Sequence, residues 1–340
     1  MKKIYGIEAA RGVAACLVVF YHAANHIRQN FGFLPFGGVT QFGHSGVDFF
    51  FVLSGFIIYL IHQRDIGPPG RLSLYVERRV TRIYPIFWVA MAVALLITAL
   101  SPSRMVPGIA EIAWDGLLLP VLGDAIVGVS WTLRHEMLFY TFFGLCIVHR
   151  MLGRIILSVW FCAILLNMLM RWDVSESALL KLTLSPFNVQ FFMGIAAAWL
   201  VRSQWRGVGR PWFFWGAGLF ILIGSAENLG WIDGYGLSAR WMYGFSAMAM
   251  VVGLVSGEAW FANAHTLLSL GRASFSIYLF HLIGIGAAYK VWEQTGLLAF
   301  FPIWALYLSL CVAGVGVGVI VSRWIEYPLM RVVRSLLPAR

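Results

Sequence analysis

Residues 7–26 read IEAARGVAACLVVFYHAANH, and apolar side chains fill most of these positions. A helix needs about 20 such residues to cross the ~30 Å hydrocarbon layer of a bilayer. Arg11 interrupts the run and no small-residue cleavage site follows it, which argues against a removable signal peptide. The stretch predicts a transmembrane helix that the chain retains, with Arg11 and His22 inside it.

The rest of the chain has the same character. Of its 340 residues, 60% are hydrophobic and 12% are charged, and the mean hydropathy is +0.79. Soluble globular chains are about half apolar and a quarter charged, so a soluble fold is excluded. Lipid admits only helices or closed barrels, and the apolar runs lack the alternation of barrel strands. The predicted fold class is an all-α, polytopic integral membrane protein.

About ten transmembrane helices are predicted. They lie near residues 7–26, 46–62, 84–100, 131–148, 155–170, 185–201, 212–226, 240–257, 272–289 and 302–322. The apolar stretch 112–129 contains Asp115, Pro120 and Asp124, and we expect it to be a surface or re-entrant segment. Because no soluble region or long repeat interrupts the pattern, residues 1–340 are predicted to form a single transmembrane domain.

The distribution of basic residues predicts the orientation. With ten spans and a cytoplasmic N-terminus, 18 of the 25 Lys and Arg residues fall on the inner side and six on the outer side, with Arg134 near a span entrance. The inner residues are Lys2, Lys3, Arg11, Arg64, Arg71, Arg78, Arg79, Arg82, Arg150, Arg154, Arg202, Arg206, Arg210, Arg272, Arg323, Arg331, Arg334 and Arg340. The outer residues are Arg28, Arg104, Arg171, Lys181, Arg240 and Lys290. Because cytoplasmic loops carry the excess, both termini are predicted to be cytoplasmic.

The net charge of +10 is explained by this topology, so no nucleic-acid partner is predicted. No metal site is predicted either. The four cysteines lie inside apolar runs without a CxxC pair, which predicts unpaired thiols. His22 and His26 have the spacing of a metal-binding pair, but no further group of ligands is evident.

Ionisable residues inside the predicted spans are functional candidates because their burial in lipid is costly. Arg11 and His22 share one helix face about 16 Å apart, since eleven residues make three turns. Asp48 opens the second span and Glu136 lies in the first turns of the fourth, so both are predicted at the depth of His22. An imidazole with nearby carboxylates suits acid–base catalysis on a hydroxyl group. Hydrogen bonds between packed helices are the alternative explanation.

A second cluster is predicted on the inner loop before the third span. It contains Arg78, Arg79 and Arg82, which in a helical turn would present a fork of guanidinium groups suited to phosphates. Anchoring of the topology or binding of anionic lipid heads explains the same cluster.

Five motifs in this order resemble the membrane-bound acyltransferase-3 family, over nearly the whole chain. They are Arg11 with His22; Gly46-Val47-Asp48-Phe49-Phe50-Phe51-Val52-Leu53-Ser54-Gly55-Phe56; Arg78-Arg79-x-x-Arg82-x-x-Pro85; Ser130-Trp131-Thr132-Leu133-x-x-Glu136; and Ser274-Phe275-Ser276-Ile277-Tyr278-Leu279-Phe280-His281. Within that family the sequence is most similar to bacterial exopolysaccharide O-acetyltransferases of the succinoglycan type.

The resemblance implies an enzyme of the bacterial inner membrane. It would move an acyl group, commonly acetyl, from cytoplasmic acyl-coenzyme A to a hydroxyl group of an exported or lipid-linked glycan. By position, His22 would be the catalytic base or a transient acyl carrier. Its supporting residues would be Arg11, Asp48 and Glu136, and the coenzyme phosphates would be held by Arg78, Arg79 and Arg82. Many members carry a second, extracytoplasmic hydrolase-like domain; none is expected here, so the membrane domain or a separate partner would complete transfer.

Some alternatives stay open at this point. A transporter or flippase for a glycan or lipid-linked sugar would use the same buried charges, although matched broken helices in two repeat halves are not visible. The residues do not choose between direct transfer and an acyl-His intermediate. No roles are assigned to His26, His44, His135 and His281.

Overall fold

The structure, a computed structural model, describes residues 4–101, 105–202, 209–256 and 258–337. These residues form α-helices and short 3-10 and π segments without a strand, which confirms the all-α class. The helices are α1 (Tyr5–Phe31), α2 (Gly46–His62), α3 (Leu72–Ala99), α4 (Ile109–Gly116), α5 (Trp131–Val148), α6 (Arg150–Met170), α7 (Ala178–Thr183), α8 (Val189–Arg202), α9 (Gly209–Asn228), α10 (Leu237–Ser256), α11 (His265–Thr295), α12 (Ile303–Val321) and α13 (Tyr327–Ser335).

Seven helical stretches in the described part of the chain are long and apolar enough to cross a membrane. They are Tyr5–Phe31, Gln41–His62, Pro69–Ala99, Arg150–Met170, Ala178–Arg202, His265–Thr295 and Ile303–Ser335. Helices α5, α9 and α10 coincide with the other three predicted spans, but they carry charged residues such as Arg134, Glu227 and Arg240 and are not among the seven. The count of ten spans and the cytoplasmic termini therefore stay predictions. Five residues of the charge argument lie outside the described ranges, namely Lys2, Lys3, Arg104, Arg206 and Arg340.

The chain divides into two compact units. The first unit contains Met1–Leu53 and Ala196–Glu326, and the second contains Ser54–Ile195 and Tyr327–Arg340. The boundary falls inside α2, after Leu53. The prediction of a single transmembrane domain is untested by this division.

The core of the first unit lies where α1, α11 and α12 pack together. Val19 of α1, Ile277 of α11 and Leu310 of α12 are buried in it. Gly271 allows the backbones of α1 and α11 to touch, because a Cβ atom there would lie 1.8 Å from the carbonyl oxygen of Glu8. Small residues at such crossings are how membrane helices approach closely.

The second unit has an aromatic core. The rings of Phe139 on α5 and Phe191 on α8 stack with centroids 4.5 Å apart. Gly55 on α2 lies against α8, since a Cβ atom would come within 2.1 Å of the Phe191 carbonyl oxygen. This packing fixes the part of α2 that follows the unit boundary.

The predicted inner loop before the third span is wrong, because Arg78, Arg79 and Arg82 lie inside the continuous helix α3. The apolar run begins at Tyr84-Pro85, where the span 84–100 was predicted to start. Membrane helices tolerate proline when neighbouring groups satisfy the freed backbone. The three arginines are therefore held in fixed positions on a helix rather than on a loop.

Segment 112–129 is not a spanning helix, since α4 ends at Gly116 and residues 117–130 are not helical. Asp115, which suggested a surface location, is instead buried. Its carboxylate accepts hydrogen bonds from the Arg134 guanidinium and, at 2.7 Å, from the backbone N–H of Ile126. These bonds anchor the segment to the start of α5.

Candidate active site

His22 lies on α1 in the first unit, three turns beyond Arg11, and both side chains are half-buried. The His22 ring packs edge-on against Tyr21, with centroids 4.9 Å apart. It packs at a tilt of 47° against His281, with centroids 5.0 Å apart. His22 is thus held between two rings and keeps part of its surface accessible.

His281 on α11 is fully buried. Its Nδ1 lies 2.7 Å from the carbonyl oxygen of Tyr278 and 3.2 Å from that of Ile277. Because a carbonyl oxygen only accepts hydrogen bonds, Nδ1 must carry the proton. The opposite nitrogen, Nε2, is buried and has no hydrogen-bond partner among the described residues.

Asp48, in the first turn of α2, is fully buried and pairs with Arg240 at 2.5 Å. The Asp48 carboxylate is thus engaged by a guanidinium group, and its support of His22 stays a prediction. Arg240 was predicted on the outer side at the start of the span 240–257, and its side of the membrane stays a prediction. It lies buried in the first turn of α10, where it also donates to the carbonyl oxygen of Gly234.

A second carboxylate in the first unit belongs to half-buried Glu227 on α9. It lies 2.8 Å from His44 Nε2 and accepts a hydrogen bond of 2.7 Å from the hydroxyl of Tyr243. Because the carboxylate accepts, His44 Nε2 carries the proton. His44 Nδ1 is then the acceptor for Arg240 Nη2 at 3.4 Å. Glu227, His44 and the Asp48–Arg240 pair thus form one connected network.

Tyr21 joins this network to the catalytic candidate. Its ring packs against both His22 and His44, with centroids 4.9 and 5.7 Å away. Its hydroxyl is hydrogen-bonded to that of Tyr235, whose ring stacks on His44 at 4.4 Å. Burial, together with this hydrogen bond, raises the pKa of Tyr235, so its phenol stays protonated at neutral pH.

Glu136 lies on α5 in the second unit and is half-buried. Its Oε1 accepts a hydrogen bond of 2.6 Å from Ser54 Oγ and another from the hydroxyl of Tyr140. Two hydroxyl donors on one oxygen fix the carboxylate in place. His22, Arg11 and Asp48 belong to the first unit and Glu136 to the second, so the predicted gathering of the four residues stays a prediction.

Arg79 is the buried member of the arginine cluster in the second unit. Its guanidinium lies over the rings of Tyr75 and Tyr140, 6.0 and 5.6 Å from their centroids. Nη2 lies 3.5 Å from His62 Nε2, and His62 Nδ1 lies 2.9 Å from Asp65. Nε and Nη1 have no hydrogen-bond partner among the described residues. Arg79 thus has unused donors for an anion.

Arg78 is exposed and Arg82 is half-buried, so the three arginines of α3 differ in environment. The sequence predicted that they share one fork. The structure instead turns Arg79 into the protein and leaves Arg78 on the surface.

Two histidines without assigned roles have local explanations. His135 is buried, and its Nδ1 lies 2.9 Å from the side-chain oxygen of Asn188. The amide of Asn188 donates in turn to Leu182 and Thr183 carbonyl oxygens, so His135 joins α5 to the segment before α8. The His26 ring packs edge-on against Tyr289, with centroids 4.7 Å apart. Across the described ranges, no three His, Cys, Asp or Glu side chains are grouped as metal ligands.

An apolar cavity of about 320 Å³ lies beside α1 in the first unit. Its walls include Ala9, Ala14, Leu17, Phe42 and Phe220. Hydrocarbon walls offer no partner to phosphate or sugar hydroxyl groups, so the cavity contributes no polar contact to the site.

Sequence reasoning overlooked Glu227, Arg240 and Tyr140. Arg240 and Glu227 fall just outside or at the edge of the predicted spans 240–257 and 212–226, so they were not weighed as buried charges. Tyr140 lies one turn after Glu136 on α5, and this i, i+4 spacing could have marked it as a partner.

The fold and the buried groups define a class: a helical membrane protein with an accessible histidine and separately held carboxylates and arginines. Comparison with known proteins agrees, since the profile described as "Acyltransferase domain" (Acyl_transf_3) matches residues 4–323. The chain belongs to the acyltransferase-3 family and is a membrane acyltransferase.

Two named proteins are similar to this chain over most of its length. The exopolysaccharide production protein ExoZ of Rhizobium meliloti (strain 1021) is 29% identical over 327 residues, which cover 92% of this chain and 95% of that protein. The acyltransferase MdmB of Streptomyces mycarofaciens is 24% identical over 342 residues, covering 86% of this chain and 82% of its own. No solved structure gives a significant match.

Proposed function

We propose that this chain is an O-acetyltransferase of the bacterial inner membrane that modifies an exported or lipid-linked glycan. The donor is acetyl-coenzyme A on the cytoplasmic side, and the acceptor is a hydroxyl group of the glycan. The observation that carries the proposal is the 29% identity to a protein named for exopolysaccharide production, which extends over 95% of that protein.

His22 is the base of the proposed reaction. It takes the proton of the acceptor hydroxyl while that oxygen bonds to the thioester carbonyl carbon; the carbon–sulfur bond then breaks, and the proton passes to the departing thiolate. An accessible, unprotonated imidazole is needed for this step. The partial exposure of His22 and the rings that hold it support the role.

The arginines of α3 bind the donor. Coenzyme A carries phosphate groups, and arginine binds these through charge-assisted hydrogen bonds. Arg79 supports this assignment best, because its buried guanidinium has two nitrogens with unused donors. Arg82 and Arg78 are proposed to add further positive charge.

Arg11, Asp48 and Glu136 are proposed to support catalysis. Asp48 acts through its pair with Arg240, which is connected through His44 and Tyr21 to His22. Glu136 is held ready by Ser54 and Tyr140.

His22→Ala tests the function directly. In a strain that depends on this chain, the variant should accumulate normally while alkali-labile acetyl groups disappear from the exported glycan. His26→Ala is the matched control, since His26 is also a half-buried histidine on α1 and should leave acetylation intact. Normal acetylation with His22→Ala would reject the role of His22. Loss of glycan export in the His22→Ala strain, with no acetyl transfer by the wild-type chain, would favour a transporter.

The same variants address the route of transfer. If an acyl-His intermediate forms, incubation with radiolabelled acetyl-coenzyme A without acceptor should label the purified wild-type chain but not His22→Ala. An absence of label, with transfer intact when acceptor is added, supports direct attack.

A further inference from the structure

We propose that His281 is a positioning residue for His22 in the proposed acyl transfer, and this inference rests on that function. In this role the His22 ring turns so that its N–H donates a hydrogen bond to the Nε2 atom of His281. This contact fixes which nitrogen of His22 carries the proton, so the other nitrogen is free to take the proton of the acceptor hydroxyl.

The contacts of His281 with its own helix fix its tautomer. The carbonyl oxygens of Tyr278 and Ile277 lie 2.7 and 3.2 Å from Nδ1. A carbonyl oxygen has no hydrogen to donate, so the proton of neutral His281 is on Nδ1. Nε2 is therefore a lone-pair acceptor with a fixed direction, since the ring is tied to its own helix.

Nε2 of His281 also lacks a hydrogen-bond donor. Nε2 is buried and has no hydrogen-bond partner among the described residues, and a buried acceptor without a donor is costly. His281 is fully buried whereas His22 is partly exposed. A ligand from outside would meet His22 before His281, so the donor best placed for Nε2 is His22 itself.

The rings of His22 and His281 lie close enough for such a hydrogen bond to form. The two ring centroids are 5.0 Å apart and the planes are inclined by 47°. The rings already touch, and rotation of the His22 ring about its Cβ–Cγ bond is the movement that directs an N–H towards Nε2.

Three other polar groups of the first unit have partners of their own. The hydroxyl of Tyr21 bonds to Tyr235, and His44 Nε2 bonds to Glu227. Asp48, which the sequence predicted as the orienting group, pairs with Arg240. His281 thus contacts His22 and offers a buried acceptor that has no other donor among the described residues.

In the reaction the proton balance is unchanged. His22 receives the hydroxyl proton, becomes a cation, and keeps its bond to His281 Nε2. It then passes the new proton to the coenzyme thiolate as the carbon–sulfur bond breaks. Hydrogen bonds strengthen when the donor is charged, so His281 stabilises the state in which His22 holds both protons.

The test compares His281→Gln with His281→Met in the purified full chain. The two side chains are unbranched and similar in length, but only glutamine has an acceptor near the position of Nε2. Release of thiol from acetyl-coenzyme A is measured with alkali-deacetylated exopolysaccharide as the acceptor. We expect kcat to fall about ten- to a hundredfold in His281→Met and less than about fivefold in His281→Gln, with KM for acetyl-coenzyme A unchanged in both.

Equal losses in the two variants would show that His281 only fills space, and full activity of His281→Met would show that it is not needed. Either result overturns the inference but leaves the acyltransferase proposal standing. Failure of the wild-type chain to release thiol would refute the proposed function and this inference with it. His26→Met, on the same helix as His22, should change kcat less than twofold, as its ring contacts Tyr289.

If His281→Met fails to accumulate, the nitrogen resonances of histidine-labelled protein decide the question. His22→Ala should shift the Nε2 resonance of His281, because it removes the donor. An unshifted resonance would overturn the proposal.

Discussion

Arg240 in the first unit and Arg79 in the second are both buried arginines, but they have different partners. Arg240 has a carboxylate, Asp48, at 2.5 Å. Arg79 lies over two tyrosine rings beside His62, and two of its nitrogens have no hydrogen-bond partner in the described part of the chain. The charge of Arg240 is compensated inside the protein, while that of Arg79 is available to an anion.

This difference separates stability from function. Removing one partner of a buried ion pair leaves an uncompensated charge and is strongly destabilising. A buried arginine whose donors are unused destabilises the folded state. A ligand that completes its hydrogen bonds offsets this destabilisation. Substitutions at the two sites should therefore act in opposite directions on unfolding.

The largest effect is expected from Asp48→Ala. It leaves the Arg240 guanidinium buried with no carboxylate and should lower the free energy of unfolding by about 3–5 kcal/mol. Thermal unfolding of the detergent-solubilised protein measures this loss. Asp48→Leu combined with Arg240→Met should recover most of the lost free energy of unfolding, since no buried charge is left without a partner. If the double variant is stable but lacks acyl transfer, Asp48 has a catalytic role beyond its pair. If the double variant is no more stable than Asp48→Ala, the stranded charge of Arg240 is not the cause of the lost stability.

The next effect is expected from Arg79→Met. Loss of charge-assisted hydrogen bonds to the coenzyme phosphates should raise KM for acetyl-coenzyme A about ten- to a hundredfold. The same substitution removes unsatisfied donors, so it should leave the free energy of unfolding unchanged or raise it by about 1 kcal/mol. Arg79→Lys keeps the charge without the planar fork and should fall between the two. A destabilised Arg79→Met with normal KM would contradict the contrast with Arg240.

These residues also show what the sequence predicts well. His22, Asp48 and Glu136 were selected because ionisable groups in apolar runs are expensive, and each is buried or half-buried on a helix in the structure. The helices were predictable for the same reason: α5 occupies residues 131–148, as the apolar run indicates.

The partners of these residues were not predictable. Asp48 and Arg240 are separated by 192 positions, and the contact of His22 with His281 joins α1 to α11. Hydropathy indicates that a residue is buried but not which distant helix covers it. The helical start of α3 was missed for a related reason, since the polar turns before Pro85 look like a loop to any measure of apolarity.

A smaller effect is expected around Glu136. Ser54→Ala and Tyr140→Phe each remove one hydroxyl donor from its Oε1. Each should reduce acyl transfer about two- to tenfold, in line with about 0.5–1.5 kcal/mol for one hydrogen bond. Rates of thiol release check this, and the double variant should lose more than either single variant. Unchanged rates in both would mean that the orientation of Glu136 is not needed for transfer.

The smallest effect is expected from Arg78→Met, and it tests the contrast within the arginine cluster itself. Arg78 is exposed on α3, one residue from buried Arg79. Solvent and salt screen an exposed charge, so KM for acetyl-coenzyme A should rise less than about threefold, and the increase should shrink as salt is added. Arg79→Met should keep its effect at high salt, because a buried contact is screened much less. If both variants raise KM equally and with the same salt dependence, the three arginines act as the common fork that their spacing predicts, and the burial of Arg79 has no special role in binding the donor.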